Sequence, residues 1–452
     1  MKDFSQGSIR RHLIGMAAPM AAGMVFQTLY YLIDLYFVAR LGDAAIAGVS
    51  AAGNLTFITL AMTQVLGVGT IALVAQAVGR KDRGDANLVF NQSLLLSAAC
   101  ALITLLGGYP LVRPYMEFIS ADRATAAAGT TYLYWFLPAM ALQFAFVAMS
   151  SALRGTGIIK PAMIVQALTV ILNALLAPVF IAGWLIGYPM GVAGAGLAST
   201  LALVMGVVLL LWYFLKLEKY VAVAREQLAP RMAVWRRMLF VGLPAGGEFL
   251  VIFAFTATIY WVIRDFGATA QAGFGIGSRI MQAIFLPAMA VAFSAAPVAG
   301  QNFGAGRGDR VRQTFRESAL LGGAVMATAT LLCQWHPDVL IGLLTHEPPV
   351  IEVGARFLQV ISWNFVLIGF NFTCSSLFQA LGNTLPSLLS TTFRLLCFAI
   401  PAIWLSTQPG FDINYVWYLS VGTVAVQAAI SYLLLRREMD KRLGRPAPRA
   451  AS

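Results

Sequence analysis

Charge is what this 452-residue chain has least of: only 11% of its residues are Asp, Glu, Lys or Arg, against roughly 25% in a typical soluble domain. With 59% hydrophobic residues and a mean hydropathy of +0.77, it cannot build a water-facing globular surface. The composition excludes a soluble domain and implies an integral membrane protein. Cysteine is scarce too. Cys100, Cys333, Cys374 and Cys397 sit in apolar stretches at no ligand-like spacing, which excludes a disulfide framework or thiolate metal site and leaves them as small buried hydrophobes. No Gly-Lys-Ser or Gly-Lys-Thr occurs, and no polar region is large enough for a nucleotide-hydrolysing domain. No nucleotide is expected, and any uphill work must draw on an ion gradient.

Long apolar stretches are what the chain has in abundance. Twelve of them, each long enough to cross about 30 Å of hydrocarbon, can be read at about 13–39, 44–78, 88–112, 124–152, 160–183, 191–215, 234–262, 268–301, 312–336, 350–381, 385–407 and 413–435. The first is long, lacks a small-residue cleavage site and carries Asp34 well inside it, so it reads as a retained helix rather than a signal peptide. The two halves also repeat each other at a constant step. Pro19 is echoed at Pro244, Gly42 at Gly267, Gln76 at Gln301, Gly157 at Gly382 and Pro161 at Pro386. Six spans per repeat make the repeats parallel, related by an axis along the membrane normal. The expected division is a first lobe at 1–215, a linker at 216–233, a second lobe at 234–437 and a mobile basic tail at 438–452.

The net charge of +12 is a topology signal. Most of the basic residues, among them Arg10, Arg11, Arg80, Lys81, Arg83, Arg236, Arg237, Arg307, Arg310 and Arg312, fall at the amino end, in alternate loops or in the tail. The positive-inside rule then places both termini in the cytoplasm. This distribution argues for a lipid bilayer partner and against nucleic acid. The glycine-containing loops at 79–85 and 304–310 follow no strand and read as tight turns, each with an Asp able to cap the next helix.

Of the 19 acidic residues, Asp34 and Glu248 alone lie well inside spans, where a charge costs a few kcal/mol on even the lenient insertion scales. Met20, Met24, Gln27, Tyr31 and Asp34 follow a 4-3-4-3 spacing that puts them on one helical face. Gln27, Tyr31 and Asp34 cannot all meet lipid without unmet hydrogen bonds, so that face is expected to line a substrate cavity. Asp34 reads either as an interhelical polar contact or as a group that takes a proton or cation during transport. Arg279 and Arg394 are immersed as well. Glu248 and Arg279, on consecutive antiparallel spans at similar depth, suggest an ion pair, with Asn364, Asn371 and Ser375 on one face of the tenth span. Prolines within spans, Pro19 and Pro244 among them, each remove a backbone hydrogen bond and permit a bend.

Together these residues resemble the multidrug and toxic compound extrusion (MATE) family of secondary transporters. The resemblance covers about Ile9 to Arg437. It rests on Pro19, Leu32-Ile33-Asp34-Leu35-Tyr36-Phe37-Val38-Ala39-Arg40-Leu41-Gly42, Leu153-Arg154-Gly155-Thr156-Gly157, Val241-Gly242-Leu243-Pro244, Gly275-Ile276-Gly277-Ser278-Arg279, Gly300-Gln301-Asn302-Phe303-Gly304 and Gln379-Ala380-Leu381-Gly382. It implies an all-α membrane fold of twelve helices in two six-helix lobes around a central cleft. It also implies export of small amphiphilic, often cationic compounds in antiport with H⁺ or Na⁺, without an enzymatic step, a cofactor or a structural metal. Carried over by position, Asp34, Asn173 and Ser199, with Gln27 and Tyr31 beside them, would form the ion site of the first lobe. Glu248, with Arg279, Asn364 and Asn371, would form the polar site of the second, and Pro19 would be the hinge. Two departures leave the coupling ion open between H⁺ and Na⁺: Ala177 stands where many relatives carry an aspartate, and the tenth span has Asn364, Ile368 and Asn371 but no aspartate. The competing readings are a flippase for lipid-linked oligosaccharides of the same superfamily, a membrane-embedded transferase acting on lipid-linked sugars, and a channel. A monomer in a bacterial-type inner membrane is expected.

Overall fold

The computed structural model describes residues 2–184 and 187–444; for Tyr31, Asp34 and Leu35, inside a helix, only the backbone is described. The described residues contain no strand. In hydrocarbon each backbone N–H and C=O must find a partner within its own segment, and a helix achieves this. The helices are α1 (Ile9–Ala39), α2 (Asp43–Gly79), α3 (Arg83–Ile119), α4 (Arg123–Gly155), α5 (Lys160–Ile181), α6 (Val192–Lys216), α7 (Met232–Val262), α8 (Gly267–Gly304), α9 (Gly308–Trp335), α10 (Pro337–Gly342), α11 (Pro348–Ile361), α12 (Phe365–Leu381), α13 (Leu385–Ser406) and α14 (Ile413–Leu443). The short α10 is a connector. A single 3-10 turn, Ser362–Asn364, joins α11 to α12, and together they make one stretch, Pro348–Leu381, so that twelve spans result. Large apolar side chains such as Ile103, Leu106, Phe118, Ile400 and Trp404 are exposed, as lipid contact requires.

The repeat extends to backbone conformation. Left-handed residues terminate equivalent elements in the two halves: Gly42 (φ 102) and Gly267 (φ 85), Lys81 (φ 60) and Gly306 (φ 69), Gly157 (φ 81) and Gly382 (φ 75). Lys81 holds without glycine's freedom the conformation that Gly306 adopts at no steric cost. Capping is less symmetric. Asp82 accepts from the Asp85 backbone N–H at the start of α3, whereas the expected cap from Asp309 is not made, since Asp309 lies in the first turn of α9 and the N-cap position is Arg307, without a side-chain cap.

By contacts the chain divides into two compact units, Met1–Lys2 with Ala22–Gly242, and Asp3–Ala21 with Leu243–Ser452. Both boundaries fall inside helices, in α1 just past Pro19 and in α7 just before Pro244. Boundaries drawn at 215 and 234 put each of these helices wholly in one lobe. Contacts instead give the first part of each to the other unit.

In unit 1 the reason is close backbone packing. A Cβ at Gly69 of α2 would stand 2.5 Å from the Met238 carbonyl oxygen of α7, and one at Gly242 would come closer still to the Val65 carbonyl. The segment leading into α7, expected to be a simple linker, is tied to α3 by three amide side chains. Asn87 Oδ1 accepts from Ala222 N at 2.7 Å, Asn91 Oδ1 from Ala224 N at 2.9 Å and Gln92 Oε1 from Arg231 N at 2.9 Å. Gln92 Nε2 also donates to the carbonyls of Gln227 and Ala229. An amide can accept and donate at once, so Asn91 and Gln92, both fully buried, satisfy an irregular backbone that would otherwise lack partners.

Unit 2 holds the amino end in the same manner. Phe4 is fully buried. Its N–H donates to Gln301 Oε1 at 3.0 Å, and its carbonyl accepts from Asn302 Nδ2 and Arg310 Nη2. Arg307 and Arg310 further bind the carbonyls of Ser5 and Gly7. The core of unit 2 is aromatic: Phe274 and Phe357 pack on Trp417 with ring centroids 5.7 Å and 4.9 Å from it. A mobile tail from 438 is corrected for 438–443. There α14 continues to Leu443, held by Arg312 against Asp440, by Arg442 against Glu438 and by Arg442 Nη1 on the Leu381 carbonyl. Residues 445–452 lie outside the described residues.

Two outcomes follow from this packing. Gly69→Val must push α2 and α7 apart, and is expected to cost about 1–3 kcal/mol in denaturant unfolding of the detergent-solubilised protein. At the start of α4, the Thr125 N–H and hydroxyl donate to Asp122 and hold its carboxyl below the usual range. A depressed carboxyl contributes stability that is present above its unfolded pKa and lost as pH falls through its folded one. Asp122→Ala should therefore lower the thermal midpoint at neutral pH, and the gap to wild type should close on acidification.

Candidate functional site

Glu248 follows Gly246 and Gly247 on α7, where Leu388 of α13 packs in ordinary contact, 3.4 Å from where a Gly247 Cβ would stand. Hydroxyls of α12 and α13 meet the carboxylate. Ser375 of α12 and Ser387 of α13 each donate to Glu248 Oε2 at 3.1 Å, and Thr391 donates to Oε1 at 3.2 Å. Gln427 Nε2 of α14 donates in turn to Thr391 Oγ1 at 3.1 Å, and Ser431 bonds Ser390 one turn along. An ionised carboxylate is acceptor-only, and here three neutral donors meet it inside unit 2. The same cage can release one hydroxyl and accept a proton at a carboxylate oxygen, so both protonation states fit without rebuilding the helices.

The expected pair of Glu248 with Arg279 is not formed. Arg279 is exposed on α8 and makes no ion pair among the described residues. On α8, Gly273 and Gly277 face Val353 and Phe357 of α11. Arg279, two positions past Gly277, therefore points away from that interface, sharing its exposed face with Gln282. Asn364 and Asn371 are not in the cage either. The carboxamide atoms of both are buried without hydrogen-bond partners among the described residues, and Asn364 lies in the 3-10 turn, which breaks the helical face that sequence spacing gave it with Asn371 and Ser375. Ser375 alone of that face reaches Glu248.

In unit 1, α5 and α6 bring Asn173 and Ser199 together. Both are fully buried, Asn173 Nδ2 donates to Ser199 Oγ at 3.2 Å, and Asn173 Oδ1 has no partner among the described residues. Gly194 of α6 permits this approach, lying against the backbone of Phe180 of α5, while Gly196 lies against the Tyr132 backbone of α4. On α1, Met20 is buried, Met24 half-buried and Gln27 exposed. The side chains of Tyr31 and Asp34 lie outside the described residues. Pro19 sits inside α1, which continues through it, leaving the Gly15 carbonyl without its usual N–H partner.

Reading by sequence missed Ser387, Thr391, Ser390, Gln427 and Ser431. A signal was present, for Ser387 and Thr391, like Gln427 and Ser431, are four apart within apolar spans and so share a face. Thr391→Val keeps the shape but leaves Gln427 and one carboxylate oxygen without partners. It is expected to destabilise unit 2 by about 1–3 kcal/mol, measured by thermal unfolding in detergent against Thr391→Ser, which retains the hydroxyl.

Comparison with known proteins places this geometry. The chain is 27% identical over 393 residues, 86% of each chain, to the "Probable multidrug resistance protein YpnP" of Bacillus subtilis. A solved MATE structure in the bent conformation matches with a TM-score of 0.91 at 23% identity, over 97% of both chains. A MOP superfamily transporter from Pyrococcus furiosus, described as having a binding pocket of reversed polarity that suggests a different function, matches with a TM-score of 0.89 at 23% identity over 97% of this chain and 98% of its own. The MatE family model matches the chain twice, at 19–179 and 244–405, one match per repeat. The chain belongs to the MatE family.

Proposed function

We propose that this protein is a multidrug efflux transporter that exports small amphiphilic compounds in antiport with H⁺ or Na⁺, without a cofactor, as a monomer in a bacterial-type inner membrane with both termini in the cytoplasm. The observation that carries the reading is a carboxylate, Glu248, half-buried within a membrane-spanning unit with neutral hydroxyls as its hydrogen-bond donors. Such a group is costly to hold in hydrocarbon and is retained where it handles an ion. Asp34 is the carboxylate assigned to ion handling in the first half, together with the neutral pair Asn173 and Ser199. The multidrug-resistance name of the Bacillus relative supports export of foreign compounds over flipping of lipid-linked oligosaccharides. Between the two ions, a hydroxyl cage around a single carboxylate favours H⁺, because proton transfer needs one oxygen whereas a sodium ion needs several converging ones.

In everted vesicles loaded with a fluorescent dye substrate, Asp34→Asn at normal expression should abolish uphill dye movement. Movement at the wild-type rate would overturn the mechanism. A proton ionophore should collapse transport if H⁺ is coupled, and added Na⁺ should drive it if Na⁺ is. Glu248→Gln, which keeps the cage's volume, should slow transport at neutral pH. Full activity would leave Glu248 a packing group.

A further inference from the structure

Unit 2 contains a second interior charge that the cage does not use. Arg394 lies on α13 along the face made by Ser387, Thr391, Phe398 and Ala402, all of them buried. Its guanidinium carbon stands 4.2 Å from the ring centroid of Phe255, and its Nε is buried without a hydrogen-bond partner among the described residues. It joins no ion pair among the described residues, and the Glu248 oxygens are taken by hydroxyls. An aromatic face offsets part of an arginine's charge, but it supplies no acceptor for the N–H groups, which only donate.

Asn371 is the residue whose place in the fold bears on this arginine. It precedes Ser375 by one turn on α12, while Arg394 follows Thr391 by just under one turn on α13. The two helices are antiparallel across the short turn at 382–384, so both residues move away from Glu248 in the same direction. At 1.5 Å per residue they stand about 6 Å and about 4.5 Å beyond the hydroxyls that bind the carboxylate. The ring of Phe255, seven residues beyond Glu248 on α7, is reached by the guanidinium. Here a guanidinium N–H and both carboxamide atoms of Asn371 are buried and unmatched among the described residues, and a fixed positive charge opposes any metal cation settling beside Glu248.

We propose that Arg394 and Asn371 form a site for a singly charged anion, either the carboxylate of a transported amphiphile or a chloride ion. The substrate arm of this assignment rests on the efflux reading above and extends it from cationic compounds to amphiphiles that carry a carboxylate. Guanidinium and carboxamide together offer a charge-assisted donor and a neutral one, the set that a carboxylate oxygen or a halide completes.

The test uses the full-length protein in liposomes with two dyes, rhodamine 110, which carries a free carboxylate, and rhodamine 123, its methyl ester. In Arg394→Gln the ratio of carboxylate to ester transport should fall about tenfold or more, Arg394→Lys should recover part of it, and Asn371→Ala should lower it less. The halide arm is read in detergent. There chloride or acetate, substituted for gluconate, should raise the thermal midpoint of wild type but not of Arg394→Gln. A midpoint that responds to chloride but not acetate, with an unchanged dye ratio, assigns the site to the halide. An unchanged dye ratio together with midpoints indifferent to both anions in wild type overturns the proposal and leaves Arg394 a packing group. Should wild type move neither dye, the efflux reading fails while the midpoint measurement still decides the anion site.

Discussion

Every part of this molecule answers to one constraint: within hydrocarbon a backbone polar group has no water to turn to. Twelve helical spans meet it by pairing each carbonyl within its own segment. Outside the spans, where the amino end and the segment before α7 pack against the helices and are shielded from water by them, side chains supply the partners instead. Gln301, Asn302, Arg307 and Arg310 bind the backbone of residues 4–7, and Asn87, Asn91 and Gln92 bind that of 222–231. Polar residues that look misplaced in apolar runs are therefore structural, tying two irregular segments to two rigid units.

The same constraint sorts the interior charges. Glu248 is matched by three hydroxyl donors, whereas Arg394 has the face of Phe255. Asn173 has Ser199 and a spare oxygen. The two halves share their turns and their inward glycines but not these groups, so the repeat supplies the scaffold and substitutions off the repeat supply the chemistry. Arg279, set apart on an exposed face of α8, belongs to neither the cage nor the aromatic core.

Helix positions were legible in sequence because an apolar run of membrane length has one stable solution, and the repeat was legible because Gly42, Gly157 and their partners mark left-handed turns. The Glu248 cage was not. Its hydrogen bonds join α7, α12, α13 and α14, and which faces meet depends on helix rotations that a periodicity leaves free. Pairing Glu248 with Arg279 by depth alone failed for that reason. The basic segments before α7 and after Arg436 read as loose from composition. Composition does not reveal that Asn91 and Gln92, or Arg312 and Leu381, wait on another helix with the matching donors and acceptors.

The division of α1 and α7 between units bears on how the protein is made. Phe4 leaves the ribosome well before Asn302, which binds its carbonyl and follows 298 positions later. At roughly 5–20 residues per second the first helix waits on the order of 15–60 s for its partners. Through that interval its early turns must reside in lipid on their own hydropathy, which at 1.3 is among the lowest of the twelve spans. Biogenesis is thus least secure while α1 stands without its partners, and neither half completes its packing until the other has been translated at least in part.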